Sequence, residues 1–159
     1  MIITLLLTLA IGTADTIEMN YDSKRLFDVI NAKRRVDALP ELTLDKGLSY
    51  LAYLHCIDLE KYSDTSCSLV SWSKQSGYSY GCVSNDNPNL DVMYNKPKEV
   101  LGYKGVGHEL ICVTDRNINY EMAYTLLRRS AFYSSMLVGT NYTRVGVYIH
   151  KNIVSVWLM

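Results

Sequence analysis

The chain has 159 residues, and sixteen basic side chains balance sixteen acidic ones to give a formal net charge of zero at pH 7. Hydrophobic residues make up 48% and charged residues 20% of the sequence, which is typical of a folded domain and excludes a disordered chain. No excess of basic charge is present to hold nucleic acid or anionic lipid, so these are not expected partners.

The first fourteen residues are typical of a secretory signal peptide. Residues 2–11 form an uncharged apolar run, which is too short for the ~20 residues that a membrane-spanning helix needs. The small residues Gly12, Thr13 and Ala14 follow, and Asp15 ends the run. We therefore expect residues 1–14 to be removed, the mature chain to be secreted, and no transmembrane segment to follow.

Two helices are predicted next. Asp22 or Ser23 can cap a helix that runs to about Val36 and ends before Leu39-Pro40. A second helix is predicted after Thr43, whose side chain can cap it, because apolar residues recur at helical spacing over four turns. These residues are Leu44, Leu48, Leu51, Ala52, His55 and Leu59.

Residues 63–100, called the middle segment below, show no sustained hydrophobic period. So long an irregular stretch is usually functional or held by a disulfide. After it, His108–Val113 has the composition of a strand. Asn119 can then cap a third helix from Tyr120 to about Arg129, and the pattern permits an extension to Met136.

The end of the chain predicts a β-hairpin. Residues 144–149 and 153–158 are β-branched runs on either side of Lys151-Asn152. The sequon at Asn141-Tyr142-Thr143 just before them indicates a glycosylated surface loop. Two early helices, a strand, a third helix and a hairpin together predict an α+β domain with an antiparallel sheet.

Four cysteines are present, and an even count in a secreted chain favours two disulfides. Three pairings are possible. We favour Cys67–Cys82, because a polar and irregular stretch separates these residues, which leaves Cys56–Cys112 as the second bond. No C-x-x-C pair occurs, so a cysteine-based metal site is not indicated.

Aromatic residues are concentrated in and beside the middle segment, in a chain with thirteen tyrosines. They are Trp72, Tyr78, Tyr80, Tyr94 and Tyr103. Because tyrosine combines an apolar ring with a polar tip, these side chains can line a surface for a lipid or a partner protein. The alternative is that they pack beneath a long loop.

Short motifs follow one another in a definite order along the chain. The first group is Val29–Arg34 (VINAKR), Leu39–Leu42 (LPEL), Leu44, Leu48 and Leu51-Ala52. The second is Cys67–Ser73 (CSLVSWS), Cys82, Lys96-Pro97 and Tyr103–Glu109 (YKGVGHE). The third is Leu127–Tyr133 (LRRSAFY), Val145–Val147 (VGV) and Val156-Trp157.

In order and spacing these motifs resemble the CAP superfamily of cysteine-rich secretory, antigen 5 and pathogenesis-related 1 proteins, whose domain is also called the SCP domain. The resemblance extends over about residues 22 to 158. It implies a single domain over residues 22–159 with an α-β-α sandwich fold, in which a mainly antiparallel sheet lies between helical layers.

The resemblance also implies an altered site. Members of the family often carry a cleft with two histidines and acidic residues, which can bind zinc or another divalent cation. Here Val70 and Tyr133 occupy the two histidine positions, Glu109 is kept, and Leu127 stands where the family has tryptophan. We therefore expect no metal, no other cofactor and no catalytic residue. Instead, Tyr133 is expected to donate a hydrogen bond to Glu109.

The three histidines do not rebuild that site. His55 lies on the apolar stripe of the second helix and is expected to be a hydrogen-bonded core residue. His108 precedes Glu109 in a strand, so the two side chains point to opposite faces. His150 in the terminal hairpin is expected to be solvated. A serine nucleophile is not indicated either, since none of the candidates lies in a nucleophile-elbow motif: Ser71, Ser73 and Ser130.

Four functions remain open at this point. The first is a secreted, monomeric binding module that contacts a partner protein or a host surface through its middle segment. The second is a carrier of sterol or another small lipid, and the third is a degenerate metal-dependent hydrolase. The fourth is a stable exported domain with no ligand.

Overall fold

The computed structural model describes residues 17–159, so the expected signal peptide lies outside the described residues. In chain order the elements are α1 (Tyr21–Val36), β1 (Thr43–Leu44), α2 (Lys46–Tyr62), α3 (Asp91–Tyr94), α4 (Lys96–Leu101), β2 (His108–Val113), α5 (Tyr120–Arg129), α6 (Ala131–Leu137), β3 (Arg144–His150) and β4 (Ile153–Leu158). Among these described helices, none is both long enough and apolar enough to cross a membrane.

One four-stranded sheet lies at the centre, in the order β1-β3-β4-β2. The short β1 pairs in parallel with β3, whereas β3 with β4 and β2 with β4 are antiparallel. The α+β class with a mainly antiparallel sheet is therefore confirmed. The predicted strand at His108–Val113 and the terminal hairpin are also present, and the hairpin turn has Lys151 at a φ of 53°.

The sheet separates two hydrophobic cores. On one face, β-strand residues such as Val147 and Val156 pack against α1, α5 and α6. On the other face, strand residues such as Ile111 and Trp157 pack against α2 and the middle segment. The helix α2 crosses the sheet at Gly146, where a Cβ atom would lie 2.1 Å from the backbone of Leu48. The predicted α-β-α layering follows from this division.

The two early helices begin at caps other than those predicted. The Asn20 side chain accepts a hydrogen bond from the Ser23 amide at 2.9 Å, so α1 starts earlier, and Asp22 and Ser23 lie inside it. Asp45, not Thr43, caps α2 by accepting from the Leu48 amide at 2.9 Å. Thr43 instead pairs with β3, because its backbone is extended and belongs to the sheet.

The third predicted helix is two helices. Ser130 ends α5 in an extended conformation, and its hydroxyl accepts a hydrogen bond from the amide of Tyr133 at 3.2 Å to cap α6. A serine at this position favours a cap over a helix interior. The helical stretch does reach Met136, but with a change of direction at Ser130 that places α6 beside the edge of the sheet.

The disulfide Cys67–Cys82 is present, with Cα atoms 5.2 Å apart, so that pairing is confirmed. The expected bond between Cys56 and Cys112 is wrong, since both are free thiols. The sheet explains this result: Cys56 on α2 belongs to one core, and Cys112 points from β2 into the other. Burial raises the pKa of both thiols.

Candidate functional site

Val70, Glu109 and Tyr133, which the resemblance places at the altered site, line a single cavity. This cavity of about 350 Å³, called the cleft below, lies beside the β2 edge of the sheet. The middle segment contributes Ser68, Leu69, Val70, Leu90, Met93 and Tyr94; β2 contributes His108 and Glu109; and α6 contributes Phe132, Tyr133 and Met136. Apolar side chains dominate this lining, and Leu69 and Phe132 are exposed at 37% and 65%.

Glu109 does not bond to Tyr133, so that prediction is wrong. Its carboxylate, whose side chain is fully buried, has each oxygen 2.8 Å from Nδ1 of His55 on α2. The hydroxyl of Ser155 on β4 donates to the same carboxylate. The direction of the strand explains the error, because Glu109 points toward α2 like Ile111, whereas Tyr133 approaches from α6.

Tyr133 finds a backbone partner at the open edge of β2. Its hydroxyl donates to the carbonyl oxygen of Ile111 at 3.4 Å, a long bond. Burial raises the pKa of Tyr133, so the phenol keeps its proton and is a poor ligand for a cation. Tyr133 therefore forms part of one wall of the cleft, and the hydrogen bonds of Glu109 come from the core residues His55 and Ser155.

His55 is a hydrogen-bonded core histidine, as predicted. Its Nδ1 faces the Glu109 carboxylate, and its Nε2 lies 2.9 Å from the carbonyl oxygen of Ser71. Because both partners are acceptors, the geometry calls for a proton on each ring nitrogen. Burial lowers the pKa of His55, but the charge and hydrogen bonds of Glu109 outweigh it, and the net direction is upward.

Trp72 is buried between charged groups and is not a surface residue. Its ring stacks on the His55 ring with centroids 4.4 Å apart. The Lys96 ammonium lies 4.6 Å from the Trp72 ring, a cation–π contact. Lys96 is itself fully buried and donates to the carbonyl of Ser79 at 2.9 Å and to Glu99 at 2.8 Å. The Lys96-Pro97 motif is the sequence signal nearest to this contact.

A second buried carboxylate, Asp58 on α2, ties the middle segment to that helix. The amide of Ser73 donates to it at 2.9 Å, and the hydroxyl of Ser73 donates to its other oxygen. The hydroxyl of Ser71 accepts from the Val83 amide at 2.9 Å. With Ser130 capping α6, all three serines considered as nucleophiles have structural hydrogen bonds. Apolar periodicity gives no sign of the role of Asp58.

The predicted aromatic surface is dispersed. Tyr78 meets the Trp72 ring edge-on, with centroids 6.0 Å apart, and is partly buried. Tyr94 lines the cleft, and Tyr103 donates a hydrogen bond to Asp45 at 2.9 Å beside the start of α2. Tyr80 alone of the five is largely exposed, at 53%. The alternative prediction, packing beneath a long loop, describes most of them.

The other two histidines have different surroundings. His108 packs against the rings of Tyr94 and Tyr142, with centroids 5.1 and 5.4 Å away, and its burial lowers its pKa. His150 is not simply solvated as expected, because its Nε2 lies 2.7 Å from a carboxylate oxygen of Glu60. The hairpin turn brings it over the end of α2, which the sequence does not reveal.

The residues of the cleft do not fit a divalent cation. Val70 has no lone pair, Tyr133 is a protonated phenol, and the Glu109 carboxylate is held by His55 and Ser155. Within residues 17–159, no three side chains of histidine, cysteine, aspartate or glutamate are grouped in a way that could hold a metal ion. The described residues that line the cleft therefore lack a ligand set for zinc or another divalent cation.

The fold matches several solved structures of exported proteins. An outer surface protein from Borrelia burgdorferi superposes with a TM-score of 0.59 at 16% identity, over 92% of this chain and 97% of that one. An extracellular protein containing an SCP domain, from Bacillus anthracis, gives a TM-score of 0.61 at 16% identity over 87% of this chain. A cysteine-rich secretory protein from Staphylococcus aureus gives 0.61 at 11% identity over 86%.

These likenesses show the fold. This chain spans 40% of the Bacillus protein and 38% of the Staphylococcus protein, so the likeness covers less than half of either neighbour. No profile of a known protein family and no curated protein sequence matches the chain. The fold implied by the resemblance to the CAP superfamily is nevertheless confirmed by structures whose own descriptions name the SCP domain and a cysteine-rich secretory protein.

Proposed function

We propose that this chain is an exported, non-catalytic binding domain that takes an apolar side chain of a partner protein into the cleft. One observation carries the proposal: the cleft is lined mainly by apolar groups, and two apolar side chains, Leu69 and Phe132, stand exposed at it. Exposed apolar groups beside a concave surface are typical of interaction sites.

The chemistry of the lining supports binding over catalysis. A hydrolase needs an activated nucleophile or a metal-bound water with a general base. Val70 supplies no such group, and Glu109 is engaged by His55 beneath the cleft. Ser68, His108 and Tyr133 are the polar residues left at the wall, and among the described residues none of the three side chains is hydrogen-bonded to a base or nucleophile across the cavity.

The wall formed by the middle segment is held in place before binding. The disulfide Cys67–Cys82 and the backbone bridge between Trp72 and Gly81 close its loop. The bonds from Ser73 to Asp58 fasten it to α2. A preformed site lowers the ordering cost of association, which suits a binding protein.

Export is supported by the apolar start of the sequence and by the disulfide, since such bonds persist in oxidising compartments. The similar structures are described as outer-surface, extracellular or secretory proteins. The Asn141 side chain is exposed, as a glycosylated sequon requires. We propose secretion, cleavage after Ala14 and a glycan on Asn141 together.

A small lipid is the second candidate occupant. The cleft volume of about 350 Å³ lies within the range of roughly 300 to 1,000 Å³ typical of small-molecule sites. The volume lies at the low end of that range, however, and the exposed Leu69 and Phe132 at the rim can pack against a second protein. We therefore place a protein side chain first and a sterol or other small lipid second.

Site-specific photo-crosslinking separates these occupants. A benzophenone amino acid replaces Phe132 in the full chain, and in a control it replaces Val36, which is also exposed but lies at the end of α1. The protein is secreted by cells of its source and irradiated there. A discrete protein adduct at position 132 and none at 36 is expected. A lipid adduct at 132 supports the second candidate, and equal labelling at both positions contradicts the cleft as the site.

A further inference from the structure

Two more cavities adjoin the exposed Tyr80, and they differ in chemistry from the cleft. One, of about 410 Å³, lies between the end of α2 and the middle segment. The other, of about 420 Å³, lies within the middle segment, between residues 79–89 and the helices α3 and α4. Tyr80 and Gly81 line both. We call the two cavities and the residues between them the Tyr80 groove.

Polar groups that both donate and accept hydrogen bonds line the groove. The first cavity presents Ser63, Ser73 and Gln75, with the Asp58 carboxylate at its buried side. The second presents the amides of Asn87, Asn89 and Asn95. Amides and hydroxyls of this kind match the alternating donors and acceptors of sugar hydroxyls.

Two exposed aromatic rings contribute to the apolar part of the lining. The ring of Tyr80 is 53% exposed between the two cavities, and one face of it contacts the Lys74 ammonium at 5.1 Å. Tyr62 is exposed at the first cavity. A pyranose ring has an apolar C–H face and a polar rim, so it complements a tyrosine ring flanked by hydrogen-bonding groups.

The charges in the groove favour a neutral ligand. Carboxylates predominate over the single cation Lys74 among its lining residues, so a sulfated or sialylated chain would meet repulsion. Three of these carboxylates already have partners, because Ser73 donates to Asp58, Ser66 donates to Asp64, and Lys96 pairs with Glu99. The remaining hydrogen-bonding capacity of the groove is therefore mostly uncharged.

The groove is preformed. Trp72 and Gly81 exchange backbone hydrogen bonds of 3.0 and 3.2 Å, which fix the chain next to Tyr80. A Cβ atom at Gly81 would lie 2.5 Å from Cβ of Val92, so glycine lets α3 approach closely. The disulfide at Cys82 holds the same segment.

From these observations we propose that the Tyr80 groove binds a neutral oligosaccharide, with sugar units in both cavities and one unit stacked on Tyr80. This site is separate from the proposed function, since it needs no occupant in the cleft. The two sites share only Ser68 and Leu69, which line the first cavity and the cleft alike.

A glycan array probed with the labelled full-length secreted protein tests the proposal. We expect binding to at least one class of neutral glycan. Tyr80→Ala should weaken that binding about tenfold or more, because it removes the stacking ring. Tyr80→Phe should retain it, since the ring face remains.

Two controls separate the groove from other surfaces. Tyr21→Ala removes a tyrosine that is exposed on α1, and Phe132→Asp alters only the cleft, so both should bind glycans like the unaltered chain. Circular dichroism confirms that each variant is folded. Absence of binding to any neutral glycan, binding confined to anionic or amine-bearing probes, or binding unchanged by Tyr80→Ala overturns the proposal.

Discussion

The two faces of the sheet are packed by different chemistry. Toward α1, α5 and α6 the strands present an almost purely apolar core that includes Leu110 and Val156. Toward α2 the same strands present Glu109 and Ser155, and these meet His55 in a fully buried polar cluster. The comparison shows that Glu109 serves the packing of α2 in this chain. The cleft beside Glu109 is lined mainly by apolar side chains.

The strongest test of this difference removes the buried carboxylate. Glu109→Ala should lower the free energy of unfolding by about 3–5 kcal/mol, because it leaves His55 buried without its partner. Urea unfolding measures the change. Glu18→Ala, at an exposed position, is the control and should change little. A loss below about 1 kcal/mol for Glu109→Ala would mean that the pair does not hold α2 to the sheet.

The next effect concerns the attachment of the middle segment to α2. Ser73→Ala should cost about 1–3 kcal/mol, because the buried Asp58 carboxylate loses its hydroxyl donor and keeps only the amide. Amide hydrogen exchange should quicken over residues 68–83. Ser135→Ala, at an exposed serine of α6, is the matched control. Unchanged exchange in Ser73→Ala would contradict the attachment.

The pH dependence of stability should report the same cluster. The pKa of His55 is raised in the folded chain, so its stabilising contribution is complete below its ordinary value of about 6.5 and is lost as the pH rises through the folded pKa. Urea unfolding over that range should show a decline. His55→Gln should remove this part of the decline, and an identical pH profile in that variant would oppose the assignment.

The smallest effect is expected on the cleft side. Tyr133→Phe should cost less than about 1 kcal/mol, since the bond from its hydroxyl to the Ile111 carbonyl is long at 3.4 Å. Its ring still packs against the apolar core, and Tyr62→Phe serves as a control at an exposed site. A large loss of stability in Tyr133→Phe that is relieved by adding Glu109→Gln would contradict this expectation. It would indicate a hydrogen bond between Tyr133 and Glu109, which the structure does not have.

The sequence predicted the helices and strands better than it predicted which side chains contact one another. The strand at His108–Val113 and the hairpin follow from β-branched runs, and the polar stretch between Cys67 and Cys82 correctly indicated their disulfide. Alternation showed that His108 and Glu109 face opposite ways, but not which of them faces α2. That choice depends on where the strand lies in the sheet, and so on contacts with residues far along the chain, such as Ser155, 46 positions away.

The same limit explains the free thiols and the buried Lys96. Cys56 and Cys112 are an obvious pair once Cys67 and Cys82 are joined, yet the sheet lies between them. Lysine is rarely buried, and only the fold brings Lys96 over Trp72 and beside Glu99. Local patterns carry no information about such contacts between distant segments.

Zinc titration by calorimetry distinguishes a Glu109 that belongs to the core from a Glu109 that serves a metal-binding cleft. The unaltered chain and Glu109→Gln are titrated in parallel at neutral pH. We predict no specific zinc binding to either protein, because Val70 and Tyr133 supply no ligand and His55 holds Glu109. Tight, stoichiometric zinc binding by the unaltered chain that disappears in Glu109→Gln would instead identify Glu109 as a metal ligand.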